Sequence, residues 1–325
     1  MENKTNKPES FFKNNHREGF TWKDSLFIHG LLTLVIFLIG EVFKTVLYIL
    51  IPVLLAGEDP DFVQTFRFYA PFIFYWIIVI LFCLIVKSNR PILKSFWRGL
   101  KGNTVPKYLL GLLMGFGLNA LCIGAAVLHQ DIRIYWPGIS AGAILPFMIL
   151  AVAVAVQCGA EEILYRGYYF QRLRKGYKSP AFAVLINPVI FLLGHVFNPG
   201  ATVLALLNVY LIGVAMSLML FYFDSLWLVL AFHATWNFTQ DVFFGLPNSG
   251  IIHNYSIGKL DKSAVRDSFF YSANFGVEGT GFVTVMLLAL ILVLFLIIRK
   301  SKKTPTDIWA ERKDNYYEEN RGTVQ

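Results

Sequence analysis

Charged residues are scarce in this chain: they make up 15% of its 325 residues, against about 25% in a typical soluble domain. Hydrophobic residues make up 56% of the chain, and the mean hydropathy is +0.55. This composition excludes an ordinary soluble domain, because too few polar side chains are present to cover a core of that size. It predicts a polytopic membrane protein instead.

Cysteine is also scarce, and the three cysteines, Cys83, Cys122 and Cys158, lie in apolar runs rather than in an even, spaced set. No disulfide is therefore predicted. The sequence contains no CxxC or HExxH metal motif, no low-complexity segment and no internal repeat. The lack of a repeat counts against a transporter or channel, since many transporters are built from inverted repeats.

Negative charge is the scarcer sign, and the net charge is +8. No basic face alternates with exposed aromatic residues, as it would in a nucleic-acid-binding protein, so nucleic acid is not an expected partner. The basic residues concentrate in the N-terminal tail, at 87–107, at 172–178 and after residue 298. Such clusters mark the cytoplasmic side of membrane proteins, so both termini are predicted to be cytoplasmic.

Eight apolar runs are candidate membrane spans, which predicts an all-α, polytopic transmembrane helical bundle. The first run is too long for the core of a signal peptide, so we expect it to remain as a span. The eight runs cover residues 26–55, 69–86, 108–128, 142–165, 181–197, 201–222, 226–244 and 281–299.

The spans divide the chain into six expected segments. The expected extracytoplasmic loop carries mixed charge, and its sequence indicates no role. The segments are a cytoplasmic tail at 1–25, spans one to three within 26–140, a core of spans four to seven at 141–245, an extracytoplasmic loop at 246–280, span eight at 281–299 and a cytoplasmic tail at 300–325.

The most informative stretch is the pair Glu161 and Glu162, which follows nineteen uncharged residues, 142–160. An ionisable side chain at bilayer depth is costly and usually marks function. Glu162 and Arg166 are four residues apart, so they share a helix face and can pair. Glu161 points about 100° away, and we expect it to remain free for chemistry.

Two further motifs lie inside apolar runs: Phe191-x-x-x-His195 and His233-x-x-x-Asn237, whose helical stripe continues to Asp241. If spans four and five run straight to the connection between them, Glu161 and His195 face each other. If the fourth helix instead breaks at Gly167, Glu161 lies nearer the cytoplasmic surface. The sequence leaves both arrangements open.

A buried carboxylate beside histidines suits the activation of water for amide hydrolysis, and an amide donor such as Asn237 suits a developing oxyanion. Glu161, His195 and His233 could also hold a divalent metal such as zinc, which needs three protein ligands at a catalytic site. The same three residues could hold a water without a metal. Because they lie on three separate helices and lack local metal-ligand spacing, the metal-free arrangement is slightly favoured. The structural alternative is an ion pair at a helix end, with histidines that only bond between helices.

Together and in this order, the three motifs resemble the CAAX-protease and bacteriocin-processing family, also called the Abi family, which includes the type II CAAX prenyl endopeptidase. The resemblance covers about residues 140–245. It implies an intramembrane endopeptidase, and the family has been described both as metal-dependent and as metal-independent. The residues that it implies are Glu161 as the catalytic glutamate, Glu162 and Arg166 in the first motif, Phe191 and His195 in the second, and His233 and Asn237 in the third.

The expected partners are a peptide or membrane-protein substrate and the lipid bilayer. The expected location is the plasma membrane of a bacterium, as a multi-pass integral protein. Two other functions stay open at this stage. One is a non-catalytic bacteriocin-immunity or scaffolding protein of the same fold, and the other is a transporter or channel with a polar path.

Overall fold

The computed structural model describes residues 15–301 and 304–310, and the parts of the predicted tails at 1–14, 302–303 and 311–325 lie outside the described residues. The described chain is helical apart from connections and one pair of two-residue strands. The elements are α1 (Leu26–Leu54), α2 (Pro60–Tyr69), α3 (Ile73–Ile85), α4 (Arg90–Phe96), α5 (Val105–Leu128), β1 (Ile134–Tyr135), α6 (Ile144–Glu162), a π-helix π1 (Ile163–Tyr169), α7 (Phe170–Gly176), α8 (Pro180–Leu193), α9 (Val203–Phe223), α10 (Leu226–Phe238), a π-helix π2 (Thr239–Phe243), β2 (Lys259–Leu260) and α11 (Gly281–Ser301).

Several helices begin where a polar side chain caps their first turn. A side-chain oxygen at this position accepts a backbone N–H that the helix itself leaves unpaired. Proline follows the cap in α2 and α8, where its missing N–H costs nothing. The caps are Ser25 for α1, Asp59 for α2, Ser179 for α8, Thr202 for α9 and Ser225 for α10.

Six helical segments are long and apolar enough to cross a membrane. The predicted all-α membrane bundle is thereby confirmed in its class. Two of the eight predicted spans are short, because α8 has 14 residues and α10 has 13 before it passes into π2. The count of eight spans stays a prediction. The six segments are Leu26–Leu54, Pro60–Ile85, Val105–Leu128, Ala141–Gly176, Val203–Phe223 and Gly281–Ser301.

Three predicted span ends are wrong, each for a local reason. The second span was expected to begin at 69, but Asp59 caps a helix that begins at Pro60. The fourth was expected to end at 165 and instead continues through π1 and α7 to Gly176, without a break at Gly167. The fifth was expected to reach 197 and ends at Leu193.

Helix α10 is central to the bundle and packs on α5 and α6. Gly111 and Gly115 of α5 allow the close approach, because a Cβ atom on them would lie 2.2 Å from the Leu228 carbonyl oxygen and 2.3 Å from that of Phe232. Small residues at such spacing are typical of close packing between membrane helices. The same α10 carries the third motif, so this packing fixes the position of that motif.

Polar contacts gather the N-terminal segment, α7 and the residues after α11 at one end of the bundle. Arg17 pairs with Asp307 at 2.7 Å, and Asp24 pairs with Lys175 at 2.9 Å. Burial opposes the ionisation of Asp24, but its hydrogen bonds with Lys175 and Thr21 lower its pKa overall. The opposite end carries the β1–β2 pair and the long loop, defined here as residues 244–280.

This grouping agrees with the predicted alternation of loop charge, since the segments predicted to be cytoplasmic share one end. It does not say which end faces the cytoplasm, and the orientation stays a prediction. The three cysteines are free and buried, within three different helices.

Candidate active site

A cavity of about 190 Å³ lies inside the bundle and brings the three motifs together. Glu161, Phe191, His195, His233 and Asn237 all line it. Its remaining wall comes from α1, α2, α9, α11 and the long loop. The residues predicted from widely separated motifs therefore meet around one cavity.

Glu162 and Arg166 form the buried pair that their spacing predicted. The two side chains are fully buried, and Arg166 Nη1 lies 2.9 Å from Glu162 Oε1. His233 Nδ1 donates to the same Oε1 at 2.8 Å. A buried carboxylate needs such partners, because an unpaired charge in the interior is costly. Glu162 is thus paired behind the cavity wall, and His233 presents Nε2 to the cavity, 3.5 Å from Asn237 Nδ2.

Glu161 has one paired and one unpaired oxygen. Gln157 Nε2 donates to Oε1, whereas Oε2 is buried and has no hydrogen-bond partner among the described residues. Oε2 lies 3.9 Å from His233 Nε2, which is too far for a direct hydrogen bond and close enough for both atoms to contact one small group. Glu162 Oε2 is likewise buried without a partner, so Glu161 Oε2 is distinguished by its position in the cavity wall beside His233 Nε2.

The first motif is held by the π-helix that follows it. The N–H of Phe170 reaches back five residues to the carbonyl of Tyr165, and Asn187 of α8 donates to that carbonyl at 2.6 Å. Gly167 packs tightly there, since a Cβ atom would lie 2.4 Å from the ring of Phe96. Such π-helical turns are frequent at functional sites. The helix continues through Gly167 without the break that the shallower arrangement required, and the depth of Glu161 in the bilayer stays a prediction.

Phe191 of the second motif contacts residues of all three motifs. Its ring lies 4.5 Å from the Arg166 guanidinium, 4.6 Å from the His195 ring and 6.1 Å from the His233 ring. A guanidinium over an aromatic face is an attractive cation–π contact. Phe191 therefore acts as the packing centre of the site.

His195 does not lie on a helix, contrary to the expected span 181–197. It sits in the turn after α8, here called the His195 turn (residues 194–202). Its Nδ1 donates to the carbonyl of Phe191 at 2.9 Å, which leaves Nε2 for the cavity. The position of His195 therefore depends on what holds this turn.

Asn237 of the third motif joins two neighbours in the cavity wall. Its Nδ2 donates at 3.3 Å to Gln157 Oε1 and at 3.3 Å to Cys158 Sγ. Gln157 thereby links Asn237 to Glu161. Asp241, expected on the same stripe in a supporting or packing role, is buried in π2 and does not line the cavity.

Asp241 instead takes part in a separate buried cluster. Its Oδ2 accepts the hydroxyl of Tyr69 at 2.6 Å and Nδ1 of His253 at 2.8 Å. His253 belongs to the long loop, so the cluster ties that loop to α2 and π2.

The cavity wall contains three charged residues that lie outside the three motifs and that the motif search missed, two of them on α1 and one on the long loop. Glu41 and Lys44 lie within the first apolar run and pair at 2.6 Å, while the Tyr75 hydroxyl donates to Glu41 at 2.6 Å. The signal was present in the sequence, since an ionisable residue inside a membrane span is unusual. Glu278, Asn248 and Ser249 of the long loop were also missed, because a loop offers no periodicity that points inward.

The described side chains do not fit a metal centre of three protein ligands. Among them, no three His, Cys, Asp or Glu residues lie close enough together to hold an ion. The predicted metal set of Glu161, His195 and His233 is therefore not assembled among the described residues.

Comparison with known proteins gives one match. Residues 141–239 match the family model of type II CAAX prenyl endopeptidase Rce1-like proteins. The search of curated proteins and the search of solved structures found no match. The matched segment runs from the start of the fourth predicted span into π2 and contains all three motifs, so the resemblance that the motifs carry is confirmed.

Proposed function

On the premise that residues 141–239 assign the chain to the type II CAAX prenyl endopeptidase Rce1-like family, an integral membrane protease family, we propose that it is an intramembrane endopeptidase. Glu161 activates the water that attacks the peptide bond. His195 and His233 orient that water, and Asn237 donates to the oxyanion.

The observation that carries this proposal is the contrast between the two adjacent glutamates. Glu162 lies outside the cavity lining and pairs with Arg166 and His233 Nδ1, whereas Glu161 lines the cavity and places its unpaired Oε2 3.9 Å from His233 Nε2. Paired titratable groups in different environments take different catalytic roles. Glu161 is thus the carboxylate available to accept a proton.

The reaction follows from these positions. A water held between Glu161 Oε2 and His233 Nε2 gives its proton to Glu161 as its oxygen attacks the carbonyl carbon of the substrate. The carbonyl oxygen becomes an oxyanion, which accepts a hydrogen bond from Asn237 Nδ2. The intermediate then collapses, the C–N bond breaks, and the proton passes from Glu161 to the leaving amine.

The substrate class follows from the rest of the cavity wall. It is largely aromatic and aliphatic, so an apolar peptide or a segment of a membrane protein fits it best. Such a substrate would come from the bilayer or from the cytoplasmic side. A prenylated CAAX substrate requires a cell that prenylates proteins, and in a bacterial plasma membrane a leader, a signalling peptide or another membrane protein is the candidate.

The test is cleavage of a quenched-fluorescent peptide library by protein purified in detergent. Glu161→Gln keeps the shape of the side chain and removes the base, so we expect at least a ~10²-fold loss of kcat. Thermal unfolding and yield should stay unchanged. Glu58→Gln, on an exposed loop, is the matched control and should cleave like wild type.

A second arm adds a strong chelator to the wild-type protein. Since the described side chains do not assemble three metal ligands, we expect cleavage to persist, and chelator-sensitive cleavage would overturn the metal-free mechanism. Equal signals from wild type and Glu161→Gln would contradict the proposal. Tests of bacteriocin immunity that does not depend on Glu161 would then follow.

A further inference from the structure

The His195 turn leaves helix α8 and needs an outside partner to hold it. At its end Thr202 is bonded by the first turn of α9, and the other backbone hydrogen bonds run within the turn or back to α8, as from Asn198 N to the carbonyl of His195 at 3.1 Å. A side-chain bond leaves the turn: Asn198 Nδ2 donates to the carbonyl of Ser249 at 3.0 Å. Asn198 is three residues from His195, so the long loop holds the turn close to the imidazole.

The long loop also packs backbone to backbone against the turn. Gly250 has φ +84°, and a Cβ atom on it would lie 1.9 Å from the carbonyl oxygen of Pro199. Gly200 has φ +71°, and its Cβ would lie 2.7 Å from Cβ of Asn274. Only glycine accepts both the conformation and the approach. This contact surface is therefore built into the sequence of both segments.

Glu278 holds the loop residue that contacts the turn. Its Oε2 accepts the backbone N–H of Ser249 at 2.7 Å and the Ser249 hydroxyl at 2.6 Å. Ser249 has φ +48°, a strained conformation for a residue other than glycine that persists only where the surroundings hold it. The backbone carbonyl of Glu278 is fixed in turn by Asn208 of α9 at 2.8 Å.

The other oxygen of the same carboxylate reaches the third motif. Glu278 Oε1 accepts the indole N–H of Trp236 at 2.7 Å. Trp236 lies on α10 between His233 and Asn237. One carboxylate thus connects the helix of the third motif, through Ser249 and Asn198, to the turn of the second motif.

We propose that Glu278 is a positioning residue: its carboxylate holds the His195 turn in register with the helix that carries His233 and Asn237. Glu278 does not contact the scissile bond; it acts on the His195 turn through Ser249 and Asn198. The long loop is then part of the catalytic apparatus. Hydrogen bonds to an ionised acceptor are the strong ones, which suits a carboxylate at this junction.

The kinetic consequence rests on the proposed peptidase function, because a displaced His195 matters only to an enzyme. Glu278→Gln keeps the size of the side chain but replaces one acceptor oxygen with a donor group. We expect kcat to fall by about 10- to 100-fold with little change in KM, since a catalytic group displaced by about 1 Å costs rate on this scale. The thermal midpoint should stay near that of wild type.

The structural consequence can be measured without any substrate. Hydrogen–deuterium exchange of residues 194–202 should rise in Glu278→Gln, while exchange in α5 and α9 stays unchanged. Asn198→Ala should raise exchange in the same segment. Exchange in the double variant should be only slightly above that of either single variant, because both substitutions break the same chain of contacts. Asp261→Asn, whose carboxylate bonds only Ser263 in its own exposed turn among the described contacts, is the matched control.

Unchanged exchange at 194–202 in Glu278→Gln would overturn the inference, whatever the kinetics. So would additive effects of Glu278→Gln and Asn198→Ala on kcat. If wild type cleaves nothing while exchange still rises at the turn, the proposed peptidase function fails and the positioning contact stands.

Discussion

Arg166 combines three contacts that no other basic side chain would reproduce. Its Nη1 pairs with Glu162, its Nη2 donates to the carbonyl of Gly213 at 3.3 Å, and its planar face lies over Phe191 at 4.5 Å. A lysine side chain ends in a single ammonium group and lacks the planar guanidinium with its several N–H donors. The guanidinium therefore holds the side chains of both Glu162 and Phe191 in place.

We expect Arg166→Lys to lower the free energy of unfolding by about 1–3 kcal/mol, because the buried carbonyl of Gly213 and the ring of Phe191 lose their partner. Thermal and denaturant unfolding in detergent measure this change. Arg98→Lys, at an exposed position, is the control and should be neutral. An Arg166→Lys protein as stable as wild type would show that charge alone is sufficient there.

The sequence predicted the Glu162–Arg166 pair because an i,i+4 spacing inside a helix fixes which side chains meet. It did not predict the setting of His195, although the same apolar run contains it. Helix α8 ends at Leu193, and the turn after it packs on the long loop through contacts between residues about 50 and about 75 positions apart, Pro199 with Gly250 and Gly200 with Asn274. Local periodicity carries no information on such contacts.

Among the elements, α1 is unusual because it carries an ion pair within its apolar length. Glu41 and Lys44 lie near its middle, and both side chains are partly open to the cavity. The ammonium of Lys44 also lies 4.6 Å from the ring of Phe72. Burying one of these charges without the other would cost free energy, because the opposite charge offsets its desolvation. We therefore expect the two residues to be energetically coupled.

We expect Lys44→Met alone and Glu41→Gln alone each to lower stability by about 1–3 kcal/mol, because each leaves a charge without its partner. The double variant should recover most of that loss, since no charge then remains unpaired. Unfolding midpoints of the four proteins form a double-mutant cycle that measures the coupling. Val42→Ala on the exposed face of α1 is the control, and purely additive losses would contradict the pairing.

Hydropathy located the apolar helices, including the short α10 with π2, but it missed the start of α2 and the end of the long segment that contains α6. Long apolar runs must span a bilayer, so the segments at Leu26–Leu54 and Gly281–Ser301 were predicted with ends close to those observed. The start of α2 at Pro60 was missed because that helix begins with polar residues, and the capping signal of Asp59 was overlooked.

The molecule as a whole has two chemically distinct ends. One end gathers ion pairs such as Arg17–Asp307, and the other carries the long loop and the β1–β2 pair. The excess of Lys and Arg predicts that the first end is cytoplasmic. The alternation of loop charge can be read from the sequence. The structure adds that the segments predicted to be cytoplasmic lie together at one end of the bundle.

The orientation can be tested with single cysteines introduced at Glu18 and Lys262, both exposed, on opposite ends. In intact cells a membrane-impermeant maleimide should label Lys262→Cys and should label Glu18→Cys only after lysis. Cys83, Cys122 and Cys158 are buried, so the wild-type protein is the background control. Labelling of Glu18→Cys in intact cells would reverse the assigned topology.

The shortness of α8 has a consequence for the surrounding lipid. Its 14 residues extend about 21 Å, well short of a hydrocarbon core of about 30 Å. Leu185, Val189 and Leu193 are exposed on its surface, and Phe197 in the turn beyond is 96% exposed. If α8 crosses the membrane as predicted, the bilayer beside it must thin to match its length. Hydrophobic mismatch at α8 would then make the membrane a part of the environment of His195.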